Sequence, residues 1–184
     1  MLLNNALLMT SGRKLSATPP TSLTDGNGNV YSVVQIGTQY WMATNLNATK
    51  LMNSTNLSYG GPGVGLYYKD GEQGKIYSWE ALSGIAPAGW RVPSNSDWNT
   101  LAAYYGGATV AGGWASQINM SAYPFNAIPT GIYFSGMFYD NTANSGWWQS
   151  NSYYGRNMTN TNNYLYASGF DNTSMLSCRL IWAG

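Results

Sequence analysis

The segment Gly89-Trp90-Arg91-Val92-Pro93-Ser94, followed by Asp97-Trp98, does most to constrain what this chain folds into. Pro93 fixes its own φ and biases Val92 toward extended backbone, so the chain enters the next residues from a turn. Ser94-x-x-Asp97 is a capping pattern: the serine oxygen accepts an orphan amide, and the carboxylate suits the positive end of a helix. Trp98, Leu101, Ala102 and Tyr105 then fall at i, i+3, i+4 and i+7, and Gly106-Gly107 follow as a stop. The spacing predicts a helix opening at Ser94 with its tryptophan in the core. A shorter helix is expected over 76–82, with Ile76, Trp79 and Glu80 on one side and Gly84 ending it.

Elsewhere the pattern is that of strands. Asp25-Gly26-Asn27-Gly28-Asn29 reads as a turn, and Val30 to Ile36 with Gln39 to Leu46 as a hairpin closed near Gly37-Thr38. Residues 50–74 are rich in Gly, Asn and Ser and read as loop, with Leu66-Tyr67-Tyr68 as a short strand. From Ala108 onward short aromatic runs alternate with Gly, Asn and Ser: Ile132-Tyr133-Phe134, Met137-Phe138-Tyr139, Trp147-Trp148, Tyr164-Leu165-Tyr166 and 177–182. The fold class expected is therefore α+β, with two short helices and an irregular, loop-rich antiparallel sheet. Thr18-Pro19-Pro20-Thr21 reads as a stiff linker, dividing an N-terminal arm (1–20) from one domain (21–184). The arm either docks on a partner subunit or packs as an ordinary strand on its own domain.

Composition excludes several classes of function. Charged residues make up 8 % of the chain, against about 25 % in an average protein, and the net charge is +1. With no Lys/Arg cluster, nucleic acid is not the expected partner. No apolar run approaches the ~20 residues that span a bilayer, so no membrane insertion is expected. There is no histidine, which removes Ser-His and Cys-His catalysis, and Cys178 is the single cysteine. Neither a metal nor a cofactor is expected. The surface must be covered by Asn, Ser, Thr, Tyr and Gly. Such a surface suits either a paratope-like contact face or a neutral extracellular or particle exterior.

Acidic chemistry is sparse too. Glu80 and Asp97 would form a glycosidase pair only if they met across a cleft, and helix reasoning already accounts for both. The alternating acceptors of 25–29 lack the distal glutamate of a calcium loop.

Several stretches resemble one bacterial family. They are Asp25-Gly26-Asn27 with Tyr31, Ile36-Gly37, Gln39, Trp41-Met42-Ala43 and Asn45-Leu46, then the Gly89–Ser94 turn, Trp98, Gly146-Trp147-Trp148 and Cys178-Arg179. This pattern resembles the Fibrobacter succinogenes major paralogous domain, and the resemblance runs over roughly 24–182. It implies a C-type lectin-like fold and a binding or display module, not an enzyme. Family members usually carry Cys-Pro-x-Gly-Trp before the turn, that cysteine pairing with the one in Cys-Arg. Here the stretch is Ala86-Pro87-Ala88-Gly89-Trp90, so Cys178 lacks that partner. The loss fits assembly in a reducing cytoplasm. The Glu-Pro-Asn and Trp-Asn-Asp triplets of calcium-dependent lectins do not occur, so their sugar chemistry does not carry over. Formylglycine-generating enzymes share the fold but need cysteine chemistry that one cysteine in an expected core strand does not supply.

Trp41, Trp79, Trp90, Trp98, Leu101, Trp147, Trp148 and Cys178 are expected in the core. At Trp147-Trp148 one ring should point inward, because neighbours on a strand face opposite sides. The receptor-binding face is expected in the late region that lectin-like domains expose: Asn151, Tyr153, Tyr154, Arg156, Asn157, Asn160, Asn162, Asn163, Tyr164 and Tyr166. This stretch also resembles the variable region of diversity-generating retroelement targets. The expected function is a virion protein, a phage tail or tail-fibre component that binds a bacterial cell-surface glycan or protein. It would join other virion subunits through residues 1–20 and form a homo-oligomer, a trimer being one option. The alternatives are a secreted or surface-anchored adhesin at the bacterial cell surface and, more weakly, a formylglycine-generating-type enzyme.

Overall fold

Strand pairing dominates the molecule. The computed structural model describes residues 18–60, 65–71, 74–107, 109–110, 113–114, 124–139, 144–148, 153–159 and 162–184. In chain order the first strands are β1 (Ser22–Thr24), β2 (Val30–Ile36), β3 (Gln39–Met42), β4 (Ser58–Tyr59), β5 (Tyr67–Gly71), β6 (Gly74–Ser78) and β7 (Trp90–Arg91). After the helix α1 (Asn95–Tyr104) come β8 (Thr109–Val110), β9 (Gly113–Trp114), β10 (Ile132–Phe134), β11 (Met137–Tyr139) and β12 (Asn144–Trp148). The last are β13 (Tyr154–Thr159), β14 (Asn162–Gly169), β15 (Met175–Leu176) and β16 (Ile181–Trp182). They form three sheets, in the orders β1-β2-β3-β16-β7, β11-β10-β15-β6-β5-β4 and β12-β13-β14-β9-β8. Neighbours pair antiparallel except β4 with β5.

This architecture corrects the expected α+β lectin-like domain with two helices. Among the described residues there is one α-helix, and the segment predicted as the other is mostly strand. Ile76, Tyr77 and Ser78 of β6 are buried in succession, between β5 and β15. A strand covered on both faces loses its period-2 alternation, so its apolar spacing mimics a helix. Only a 3-10 turn, Glu80–Leu82, follows. The reading of 50–74 as loop is corrected for β4 and the start of β6, which lie within it, while the short strand expected at Leu66-Tyr67-Tyr68 overlaps β5.

The predicted hairpin exists as β2 and β3, which pair Val34 with Trp41 and Ile36 with Gln39. Gly37, at φ +59°, makes the reversal. The helix begins as its capping box requires. Ser94 N and Oγ both donate to Asp97 Oδ2 at 2.6 Å, and Asp97 N donates back to Ser94 Oγ. The same carboxylate takes both ends of the Arg91 guanidinium, at 2.5 and 2.9 Å. One aspartate thus ties strand β7, the turn and the helix start together.

Two cores flank strand β12. Trp147 packs with Trp41, Trp98, Leu101, Phe125 and Leu165, whereas Trp148 packs with Leu46, Tyr77, Ile85, Leu176 and Cys178. Neighbouring side chains do face opposite ways, but neither way is solvent: both rings are fully buried. The expectation of one inward ring is corrected for that reason. Trp41, Trp90, Trp98, Leu101 and Cys178 are also buried, and Trp79 is half-buried against the second of these cores. Gly155 lets the strands close, since a Cβ there would sit 2.8 Å from the Trp147 carbonyl oxygen and 3.0 Å from the Phe170 ring.

Candidate functional site

Sequence motifs far apart in the chain converge on one buried polar network. The Asn45 side-chain oxygen accepts the Trp147 indole N–H at 2.9 Å and Arg179 Nε at 2.9 Å. The Arg179 guanidinium lies 4.2 Å over the Phe125 ring and also donates to the Phe125 carbonyl. Burial pushes the Arg179 pKa down to about 9. Trp147, Phe125 and Arg179 are fully buried and Asn45 nearly so, and their mutual hydrogen bonds tie distant parts of the fold together. The 25–31 turn is similarly self-contained. Asp25 accepts the amides of Asn27 and Asn29 and the Tyr31 hydroxyl, the last at 2.6 Å. Its carboxylate is committed to protein donors.

Among the described residues, those predicted for the receptor face divide between exposed, half-buried and buried positions. On β13, Tyr154, Arg156 and Met158 share one side while Gly155 and Asn157 share the other. Tyr154 is exposed and its ring lies over Gly169, its cross-strand partner. Arg156 is 1 % exposed, which corrects its assignment to the receptor face. Its Nη2 donates to Asn95 and, at 3.0 Å, to Asn99, both on α1. Burial lowers its pKa to about 10. Tyr153 adopts φ +53° at the start of the hairpin and donates its hydroxyl to Glu80 at 2.7 Å, an interaction that raises the phenol pKa. Asn157 and Tyr166 face each other across β13 and β14, both half-buried. Asn162, Asn163 and Tyr164 open strand β14. Asn151 and Asn160 lie outside the described residues.

Asn157 lines a cleft that sequence reasoning missed. The cleft, of about 380 Å³, lies where the β10–β11 hairpin meets β13 and β14. Its wall is made by Ile132, Phe134, Tyr139, Asn157, Ser168 and Phe170. Phe134 meets Phe170 edge-on at 5.6 Å, and Phe170 in turn meets Trp148 at 5.7 Å, so the wall is anchored in the core. Ser168 Oγ donates to Asn157 Oδ1 at 2.7 Å. The hairpin turns through Ser135 (φ +50°) and Gly136 (φ +80°), the positive-φ pair of a type I′ turn. It holds Met137, Phe138 and Tyr139 out at 59, 37 and 39 % exposure. The sequence signal was present: Phe134-Ser135-Gly136-Met137 is a hairpin turn between apolar runs, and the second run has no polar alternation.

The two carboxylates considered as a glycosidase pair are occupied separately. Asp97 is engaged by Arg91 and Ser94, and Glu80 by Tyr153, which leaves the two carboxylates in separate local roles. Cys178 is fully buried, and burial pushes its thiol up to about 12. Among the described residues no group of three or more His, Cys, Asp or Glu could hold a metal ion, and no helix is long and apolar enough to cross a membrane.

Among known families, the Fibrobacter succinogenes major domain matches residues 34–181. No curated protein and no solved structure gives a significant match.

Proposed function

The chain belongs to the Fibrobacter succinogenes major domain family, and from that premise we propose that it is a non-enzymatic binding module. In this reading it forms the head of a phage tail or tail-fibre protein that attaches to a bacterial surface receptor. The observation that carries the reading is the β10–β11 hairpin beside the cleft. Met137, Phe138 and Tyr139 are exposed on a tight turn, and Tyr139 also lines a pocket of aromatic walls and uncharged polar groups. Neighbouring exposed apolar side chains beside a pocket, unlike single ones such as Tyr104, are a feature of interaction sites. Rigid aromatic anchors with adaptable amide and hydroxyl partners are also how protein paratopes gain contact area at low entropic cost. Several copies in a rotational oligomer would add weak single contacts into firm attachment.

Two measurements test this. Purified protein is expected to bind intact cells of a susceptible strain saturably and, in excess, to slow adsorption of the corresponding phage. Absence of saturable binding across a panel of bacterial strains would contradict the receptor-binding role. Saturable binding with no effect on any phage, and no chain detectable in purified virions, would contradict the virion assignment alone.

A further inference from the structure

We infer that the cleft between the β10–β11 hairpin and strands β13 and β14 takes a neutral saccharide, an inference that rests on the binding-module reading above. No charged side chain is among its described lining residues. A charged ligand would find no counter-charge among these residues, and Asp171, next in the chain to Phe170, is already engaged by Ser135, Thr173 and Ser174. A neutral ligand needs no counter-charge.

The walls then restrict the neutral ligand further. Phe134 and Tyr139 stand 6.4 Å apart with their planes 39° from each other, and Phe170 meets Phe134 edge-on at 5.6 Å, so the three rings form one continuous aromatic surface. The C–H faces of a pyranose ring are apolar and flat, and they pack on such rings while the equatorial hydroxyls stay at the edges. A purely apolar ligand would satisfy the walls but strand the polar pair between them. Because Ser168 donates to the Asn157 carbonyl oxygen, the pair offers amide N–H from Asn157 beside a lone pair on Ser168 Oγ. A sugar hydroxyl both donates and accepts, so it can meet both at once. Size agrees. A volume of about 380 Å³ lies at the small end of ligand sites, roughly 300–1,000 Å³. That admits on the order of one or two sugar rings and excludes a folded partner.

The test uses immobilised neutral hexopyranosides and N-acetylhexosaminides, singly and as disaccharides, beside uronic-acid and sialylated probes. Binding is expected on neutral probes only. Tyr139→Ala and Asn157→Ala should each weaken it about tenfold, the scale of one lost aromatic or hydrogen-bonded anchor. Tyr139→Phe, which keeps the ring, should stay within about twofold, and Tyr104→Ala on the exposed side of α1 should change nothing. Circular dichroism and a melting curve establish that each variant is folded. Should Asn157→Ala unfold, the Tyr139 pair decides alone. Cells oxidised with periodate separate the two levels of the argument. No neutral probe bound, with undiminished binding to oxidised cells, overturns the saccharide and leaves a surface-binding module. Neutral probes bound, with no binding to any cell, overturns bacterial attachment and leaves the sugar site. Failure of both overturns both.

Discussion

Asn45→Ala tests the buried network in a way that separates it from ordinary core packing. The Asn45 side-chain oxygen is the shared acceptor for the Trp147 indole and for Arg179 Nε, each at 2.9 Å. Alanine leaves both donors buried without that partner. An unsatisfied buried donor costs roughly 1–3 kcal/mol, and one on a charged group more. One term runs the other way: the Asn45 Nδ2 group has no partner among the described residues, so deleting it removes an existing penalty of the same kind. Two losses less one gain, with a small cavity added, come to about 3 kcal/mol. For a chain of this size that is a fall of roughly 6–12 °C in Tm. Asn45→Asp is the informative partner. A carboxylate still accepts from both donors, removes the unpartnered amide and neutralises Arg179. It should therefore lie within about 1 kcal/mol of the parent protein. Urea unfolding followed by tryptophan fluorescence reads both. A cost below about 1 kcal/mol for the alanine variant, or equal costs for the two substitutions, would refute the reasoning.

Other perturbations follow from single contacts. Gly26→Ala places a Cβ 2.3 Å from the Leu51 carbonyl oxygen, so it should force the 25–29 turn off Lys50-Leu51 and cost about 2 kcal/mol or more in thermal unfolding. Burial alone would raise the Asp97 pKa, but Arg91 and Ser94 outweigh it and hold the carboxyl below its ordinary 3.8. A depressed folded-state pKa gives stability that is present above about pH 4 and lost as pH falls below it. Acid titration of stability should show that loss, and Asp97→Asn should flatten it. The Cys178 thiol, pushed up to about 12 by burial, should resist a thiol reagent at neutral pH and react only at the rate of unfolding. Fast labelling of folded protein would contradict its placement.

The helix and the first hairpin were legible because their signals are local. Ser94, Asp97 and the Trp98 stripe lie within three turns of chain, and Gly37 sits in the reversal that it makes. Strand β6 was not legible as a strand, since burial of Ile76, Tyr77 and Ser78 on both faces depends on β5 and β15 arriving from elsewhere. Arg156 misled for a related reason. Its type and its polar neighbours suggest a surface, but Asn95 and Asn99, far back in the chain, supply the partners that bury it. The motif residues Asn45, Trp147 and Arg179 were each visible, whereas their meeting was not. The cleft was hidden most completely: its walls come from β10, β11, β13 and the end of β14, and only the Asn157 side had drawn notice.

The central claim is that this chain binds through the cleft and its hairpin. The most direct test is the binding isotherm of labelled protein on intact susceptible cells, measured for the parent chain, Phe138→Ala/Tyr139→Ala, Tyr154→Ala and Tyr104→Ala. The hairpin double variant is expected to lose about tenfold or more in affinity while remaining folded, and Tyr104→Ala to bind as the parent does. Parent-like binding by the folded double variant, above all with loss in Tyr154→Ala, would contradict the claim and move the site to the opposite face of β13.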